Sequence, residues 1–264
     1  MLAQTVQARQ LRQMQKTPPT IFSPKKRAGK WARAKQRLAS RPCEKPFLLA
    51  ELTDDIIERI QFMQVEPGSA LVVGDWAEGL SRFLNAHGWA VATAELGKFE
   101  EEAPYPSSNY NLVVHLMGLG HVNDLPGALL HANAALAEGG IFFGAFPGAG
   151  SLPCMRQVAM AADGDRPSPR CHPLVDNQAA AALLQRARFK RQVVDSHTIL
   201  ARYQTFDKLV SDLRDHGLTS SLMTTAPPYN KTRLALALDQ FEKLKDQDGR
   251  VVENFELLTL TGWK

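Results

Sequence analysis

The stretch 111–129, NLVVHLMGLGHVNDLPGAL, decides the fold. Asn111 to Leu116 reads as a strand buried on both faces, because its apolar residues run consecutively instead of alternating. From Asp124 the pattern becomes helical: an acid able to cap precedes Pro126, whose ring suits a first helical turn. Outward from this strand-to-helix unit the same alternation recurs. Upstream lie a strand at Ala70 to Gly74 (ALVVG), a helix at Glu78 to His87 and a strand at Trp89 to Ala94 (WAVATA). Downstream, the helix from Asp124 to Leu136 meets a stop at Glu138-Gly139-Gly140, and Ile141 to Phe146 (IFFGAF) is another buried strand. Strands at Phe189 to Asp195 and Asn254 to Thr261 follow, with helices near 154–162, 178–186, 206–216 and 231–244. Leu48, Leu49, Leu52, Ile56, Ile57 and Ile60 place an amphipathic helix ahead of the first strand. Alternating strands and helices predict an α/β fold, a mostly parallel sheet with helices on both faces.

With 264 residues, 44% hydrophobic and 22% charged, the chain can bury one sizeable core. Its charge is uneven. Residues 1–43 hold eleven Lys or Arg and no acid, whereas residues 44–264 hold 20 bases against 27 acids. Residues 1–42 therefore read as a basic, partly disordered N-terminal arm, and 43–264 as the folded domain. Within the arm, 25–37 (KKRAGKWARAKQR) has the makings of a basic helix carrying Trp31, suited to an acidic partner. No recognition motif accompanies it, so sequence-specific nucleic-acid binding is not expected. Cys43, Cys154 and Cys171 are too scattered for a disulfide framework or zinc ribbon and read as structural thiols in a reducing compartment. No apolar run is long enough for a membrane span, and no secretory signal is expected. The acid-free start also resembles an organelle presequence. The expected location is cytoplasmic for a bacterial chain and the mitochondrial matrix for a eukaryotic one.

In an open parallel sheet, ligands bind outside the carboxyl ends of the strands, so the turn Gly74-Asp75-Trp76-Ala77-Glu78-Gly79 carries the first test. Two glycines relieve it, while Trp76 and Glu78 bring bulk and negative charge toward the ligand's place. A ligand-free strand-to-helix turn therefore stays open beside a cofactor turn. Glu95 ends the second strand, where a carboxylate accepts hydrogen bonds from ribose hydroxyls. No Walker lysine follows a glycine loop, and a zwitterionic adenosyl ligand fits better than a dinucleotide. His121 and Asn123 lie at the mouth of the cleft as candidate substrate contacts, with Asp124 as helix cap. Arg156, Arg170 and His172 follow the fifth strand, where they would bind an acidic group or a partner surface. No HExxH or HxD set suggests a metal, and no GxSxG elbow suggests a nucleophilic serine.

These motifs resemble the S-adenosylmethionine-dependent methyltransferase superfamily, in particular the subgroup of the mitochondrial complex I assembly arginine hydroxylase. The malonyl-carrier-protein methyltransferase of biotin synthesis is more distantly similar. Ile21-Phe22-Ser23 with its basic helix, HVNDLPGAL at 121–129, LAEGGIFF at 136–143, Gly148 to Leu152 with Arg156, VSDLRDHG at 210–217 and Leu260 to Trp263 carry the likeness. It implies a Rossmann-like fold with a seven-stranded sheet. It also implies S-adenosylmethionine held by Gly74, Asp75, Gly79, Glu95, Ser108, Asn109 and Leu116, with adenine near Ser108 and Asn109. His121, Asn123 and Arg156 would meet a protein substrate connected with respiratory complex I assembly. No catalytic base stands out. Two alternatives accompany this reading: a non-catalytic assembly scaffold with a degenerate cofactor site, and a protein arginine hydroxylase.

Overall fold

The computed structural model describes residues 19–41 and 46–264. In chain order the elements are α1 (Pro24–Ser40), α2 (Phe47–Phe62), β1 (Ser69–Val73), α3 (Gly79–Ala86), β2 (Ala90–Ala94), β3 (Tyr110–Leu116), α4 (Leu125–Ala135) and β4 (Leu136–Pro147). Then come α5 (Pro153–Asp163), α6 (Asn177–Arg186), β5 (Lys190–Tyr203), α7 (Phe206–Asp215), α8 (Lys231–Lys243) and β6 (Val251–Trp263). The strands form one sheet in the order β2-β1-β3-β4-β6-β5. The first four are parallel neighbours, and β6 inserts antiparallel between β4 and β5. From β1 the chain steps one way to β2 and the other way to β3, so the crevice where strand order reverses opens at the carboxyl ends of β1 and β3.

The consecutive apolar runs behave as their composition requires. Leu112, Val113, Val114 and Leu116 are fully buried in β3, as are Phe142, Phe143 and Phe146 in β4, so both faces of the central strands are covered. Asp124 caps α4 as expected, its Oδ1 accepting from the Gly127 N–H at 2.9 Å. The seven strands implied by the resemblance are corrected to six among the described residues. Residues 95–109, which would have to supply a further edge, contain Pro104 and Pro106 in a polar run and form turns without a strand. β2 is thereby left at the edge with Ala90, Ala92 and Thr93 exposed.

The described part of the N-terminal segment does not stand free. α1 packs on the domain through Arg27, Lys30, Trp31 and Ala34, all buried. Trp31 lies so close to Gly217 (φ +63°) that a Cβ there would stand 2.1 Å from the indole. The helix's charges meet the acidic body: Arg27 pairs with buried Glu101, and Lys35 with Glu95 at 2.8 Å. Arg37 and Arg41 converge on Asp215 at 2.5 and 2.6 Å. The acidic surface that this basic helix engages is the chain's own. Upstream, Ile21 to Ser23 runs against Ser221 to Met223, with Ser23 N–H donating to Ser221 O (2.8 Å) and Met223 N–H to Ile21 O (2.7 Å). Residues 1–18 and 42–45, including Cys43 and the first part of the segment expected to be partly disordered, lie outside the described residues.

Candidate functional site

Two cavities flank α1. The first, about 780 Å³, lies at the carboxyl ends of β1 and β2, with Gly74, Asp75, Trp76, Glu78 and Glu95 on its wall and Trp31 and Lys35 of α1 across from them. At Gly74 the backbone has φ +90°, and a Cβ would sit 2.3 Å from the carbonyl oxygen of Leu116, so only glycine lets β1 turn this tightly against β3. Fully buried Leu116 thus meets the turn through its backbone. Asp75 Oδ1 accepts from Gly79 N–H (3.1 Å), while Oδ2 accepts from the N–H (2.8 Å) and hydroxyl (2.9 Å) of Ser81. The carboxylate caps α3 and occupies amides that a ligand anion would otherwise use.

Trp76 and Glu78 border the hollow without closing it. The Trp76 ring tilts against Trp31 with centroids 5.5 Å apart, and its Nε1 is buried without a partner among the described residues. Glu78 takes a left-handed conformation (φ 58°) and pairs with Arg82 at 2.6 Å, its side chain 65% exposed. Glu95 receives hydrogen bonds from Lys35 (2.8 Å) and Lys98 (2.9 Å), which hold its carboxyl down at about 2. Its side chain remains 45% exposed, so these pairs add little stability.

Ser108 and Asn109 do not join this group. They precede β3, and Asn109 O accepts from the hydroxyl of Ser69, the first residue of β1, so both sit at the amino ends of the strands. The five-residue length of β1 separates them from Gly74 by roughly 16 Å, and the expected adenine contact is corrected accordingly.

The second cavity, about 390 Å³, opens on the other side of α1 and is walled by His121, His172, Lys26, Arg156 and Tyr229 among apolar neighbours. The rings of His121 and His172 stand 4.6 Å apart, and the edge of Phe22 meets both. His172 Nε2 accepts from Ser221 N–H at 2.8 Å, which places its proton on Nδ1. Burial keeps both imidazoles neutral, His172 falling to about 3 and His121 well below its usual value, with nearby Lys30 acting in the same direction. Trp31 lines the first cavity and touches His121 of the second at 5.7 Å, so these two rings form the partition.

Asn123 lines neither cavity. Its Oδ1 accepts from Ile21 and Phe22 N–H at 2.8 Å each and its Nδ2 donates to Phe22 O at 3.1 Å, clamping the incoming chain. Arg170 is likewise engaged, forked onto Asp163 (2.9 and 2.6 Å) and stacked on Tyr229 at 4.2 Å. Arg156 forms no ion pair among the described residues, and its closest acceptor is Ala149 O at 3.5 Å. Cys154 and Cys171 are half-buried free thiols, both pushed up by burial, Cys154 to about 11. Among the described residues no three His, Cys, Asp or Glu converge as a metal set, and no helix is long and apolar enough to cross a membrane.

Sequence reasoning passed over Lys26, Tyr229 and above all Lys30. Lys30 is 1% exposed, its Nζ has no hydrogen-bond partner among the described residues, and it lies 4.6 Å over the Trp31 ring. A signal existed: Arg27, Lys30, Trp31 and Ala34 fall at helical spacing, so the face that buries Trp31 must carry two cations inward.

The neutral imidazoles have a measurable consequence. For His115 (held at about 3 by burial), His121 and His172, the unfolded chain takes up protons below about pH 6.5 that the folded chain refuses. The stability these three histidines contribute is therefore fully present above that pH and is lost as pH drops from about 6.5 toward 3. Denaturant titrations should show this slope shrinking by about one proton's worth in His172→Gln. An unchanged slope would show that His172 titrates normally in the fold.

Comparison with known proteins places residues 54–194, from α2 into β5, on the family model described as a methyltransferase domain. The rat protein named arginine-hydroxylase NDUFAF5, mitochondrial, is 30% identical over 178 residues, 66% of this chain and 52% of its own length. The human protein of that name is 28% identical over 208 residues, 77% of this chain and 60% of its own. The chain thus spans about half the length of the rat relative. Among solved structures, the YcgJ protein of Bacillus subtilis matches with 11% identity and a TM-score of 0.46, covering 83% of this chain and 98% of that one.

Proposed function

We propose, for a chain that belongs to the methyltransferase domain family, that the first cavity binds S-adenosylmethionine and that the protein is a methyltransferase or methyltransferase-like protein acting in respiratory complex I assembly. The observation that carries this reading is the space beside Glu95. About 780 Å³ remains open despite Trp76 and Glu78, within the usual range for small-molecule sites. The residues fit the adenosine end of the ligand. Glu95 would accept from the ribose hydroxyls on releasing a lysine, Gly74 admits the ligand to the backbone, and Trp31 and Trp76 offer ring surface for the base. When bound, the ligand supplies a sulfonium methyl group; the chain's contribution is to position it and exclude water. The relatives' mitochondrial naming supports a matrix location for a eukaryotic chain, and a bacterial chain would act in the cytoplasm.

A second reading has its own support. Asp75 already occupies α3 amides that would receive the ligand's carboxylate, which favours an assembly scaffold without cofactor. The arginine hydroxylation in the relatives' name is a third. Calorimetric titration with S-adenosylmethionine separates the first two. Binding in the micromolar to submillimolar range, weakened about tenfold by Glu95→Gln, is expected of the transferase reading. No heat at high ligand concentration would establish the scaffold instead.

A further inference from the structure

The second cavity has a charge balance that selects its ligand. Lys26, Arg156 and Arg170 stand on its wall, and no Asp or Glu among the described residues does. Arg170 is neutralised by Asp163, but Lys26 and Arg156 form no ion pair among the described residues. Lys26 Nζ donates to Leu222 O and Thr225 Oγ1 (2.7 Å each) and more weakly to Met223 O (3.4 Å), all uncharged. Glu253, the carboxylate whose field reaches Arg156, lies outside the lining, its oxygens accepting from the N–H groups of Cys154, Met155 and Asn254. Leu152, Met155, Leu174, Val210, Leu213 and Leu218 make the rest of the wall largely apolar. The Tyr229 hydroxyl has no partner among the described residues, and the neutral imidazoles of His121 and His172 offer no anion to a cationic guest. A cation entering here would lose its water and meet only cations and dipoles, whereas a carboxylate would find an unpaired guanidinium.

We propose that this cavity binds a small carboxylic acid with an apolar tail, its carboxylate held by Arg156. The proposal deepens the transferase reading by naming the class of acceptor, and rests on it only for the chemistry. Binding itself is independent of S-adenosylmethionine. A guanidinium substrate is excluded from the cavity by sign, so any protein arginine would have to be met elsewhere on the surface.

The test uses the full chain and the isosteric probes hexanoate, hexanamide and hexylamine, followed by calorimetry or ligand-observed NMR without S-adenosylmethionine. Hexanoate is expected to bind, hexanamide about tenfold or more weakly, and hexylamine not measurably. Arg156→Gln should lower hexanoate affinity by about tenfold, Arg156→Lys should restore part of it, and Lys35→Gln, in the first cavity, should change nothing. The wild-type series decides the question even if an Arg156 variant folds poorly. A short glutamate-containing peptide that outcompetes hexanoate, hexylamine binding as well as hexanoate, or hexanoate indifferent to Arg156 would each overturn the proposal. Hexanoate binding by a chain that ignores S-adenosylmethionine would defeat the transferase reading and leave this one standing; the reverse result would do the opposite.

Discussion

Gly74→Ala is expected to cost about 3 kcal/mol of stability and to lower the melting temperature by roughly 6–12 °C. Two effects combine there. At φ +90° any side chain is strained, by about 1–2 kcal/mol, and the new methyl would press within 2.3 Å of a backbone oxygen, that of Leu116, which cannot rotate away. Relief would require β1 to shift from β3, breaking the register that sets Val73 opposite His115. Gly139→Ala separates the two causes. Its φ is +74°, but nothing lies within 4 Å of its would-be Cβ, so it should cost only the strain, about 1–2 kcal/mol. Equal losses in a denaturant titration of the two variants would remove the Leu116 contact from the explanation.

Most of the element sequence was legible because it rests on local periodicity. The consecutive apolar residues of β3 and β4 and the helical spacing of Leu48 to Ile60 state which faces are buried, and burial fixed them as expected. The late strands were read short. β5 runs on from the expected Asp195 to Tyr203 because its second half, SHTILARY, pairs along β6, a partner roughly fifty to sixty residues distant that no local pattern names. The same limit explains the site. Gly74 and Glu95 fall at strand ends by sequence position alone, so their meeting at one cavity could be foreseen. Asn123 could not be separated from a substrate contact, because its partners, Ile21 and Phe22, lie a hundred residues away. Ser108 and Asn109 were misplaced because the shortened connection 95–109 returns the chain to the amino ends of the strands before β3 begins.

The basic helix shows what a charge count leaves out. An excess of Lys and Arg opposite an acidic body describes attraction, and α1 satisfies it internally through Glu95, Glu101, Glu102 and Asp215. Yet the apolar contact that seats the helix, Trp31 on Gly217, draws Lys30 in with it, and no acid among the described residues receives that amine. Burial rather than pairing then governs its chemistry: desolvation, aided by Arg27, drives its protonation well below the ordinary lysine value.

Lys30→Met should consequently stabilise the protein at neutral pH, because it removes an amine whose charged form burial disfavours. Methionine has a similar unbranched shape and keeps the contact with Trp31 without carrying a proton, so packing changes little. In the wild type the unfolded chain holds a proton on this amine up to about pH 10.4, whereas the folded chain gives it up at a lower pH. Stability must therefore rise with pH across that window, by about 1.4 kcal/mol per pH unit for one proton. The groups around the amine leave a clean interval. His121 and His172 act below about pH 6.5, and the raised thiols of Cys154 and Cys171 oppose the trend only above about pH 8.5. Denaturation between about pH 7 and 8.5 should give a positive slope in the wild type and a nearly flat line in Lys30→Met. A variant that is less stable than the parent, with the slope unchanged, would mean that the amine is charged and satisfied in the fold, and the partition between the two cavities would then carry a fixed positive charge.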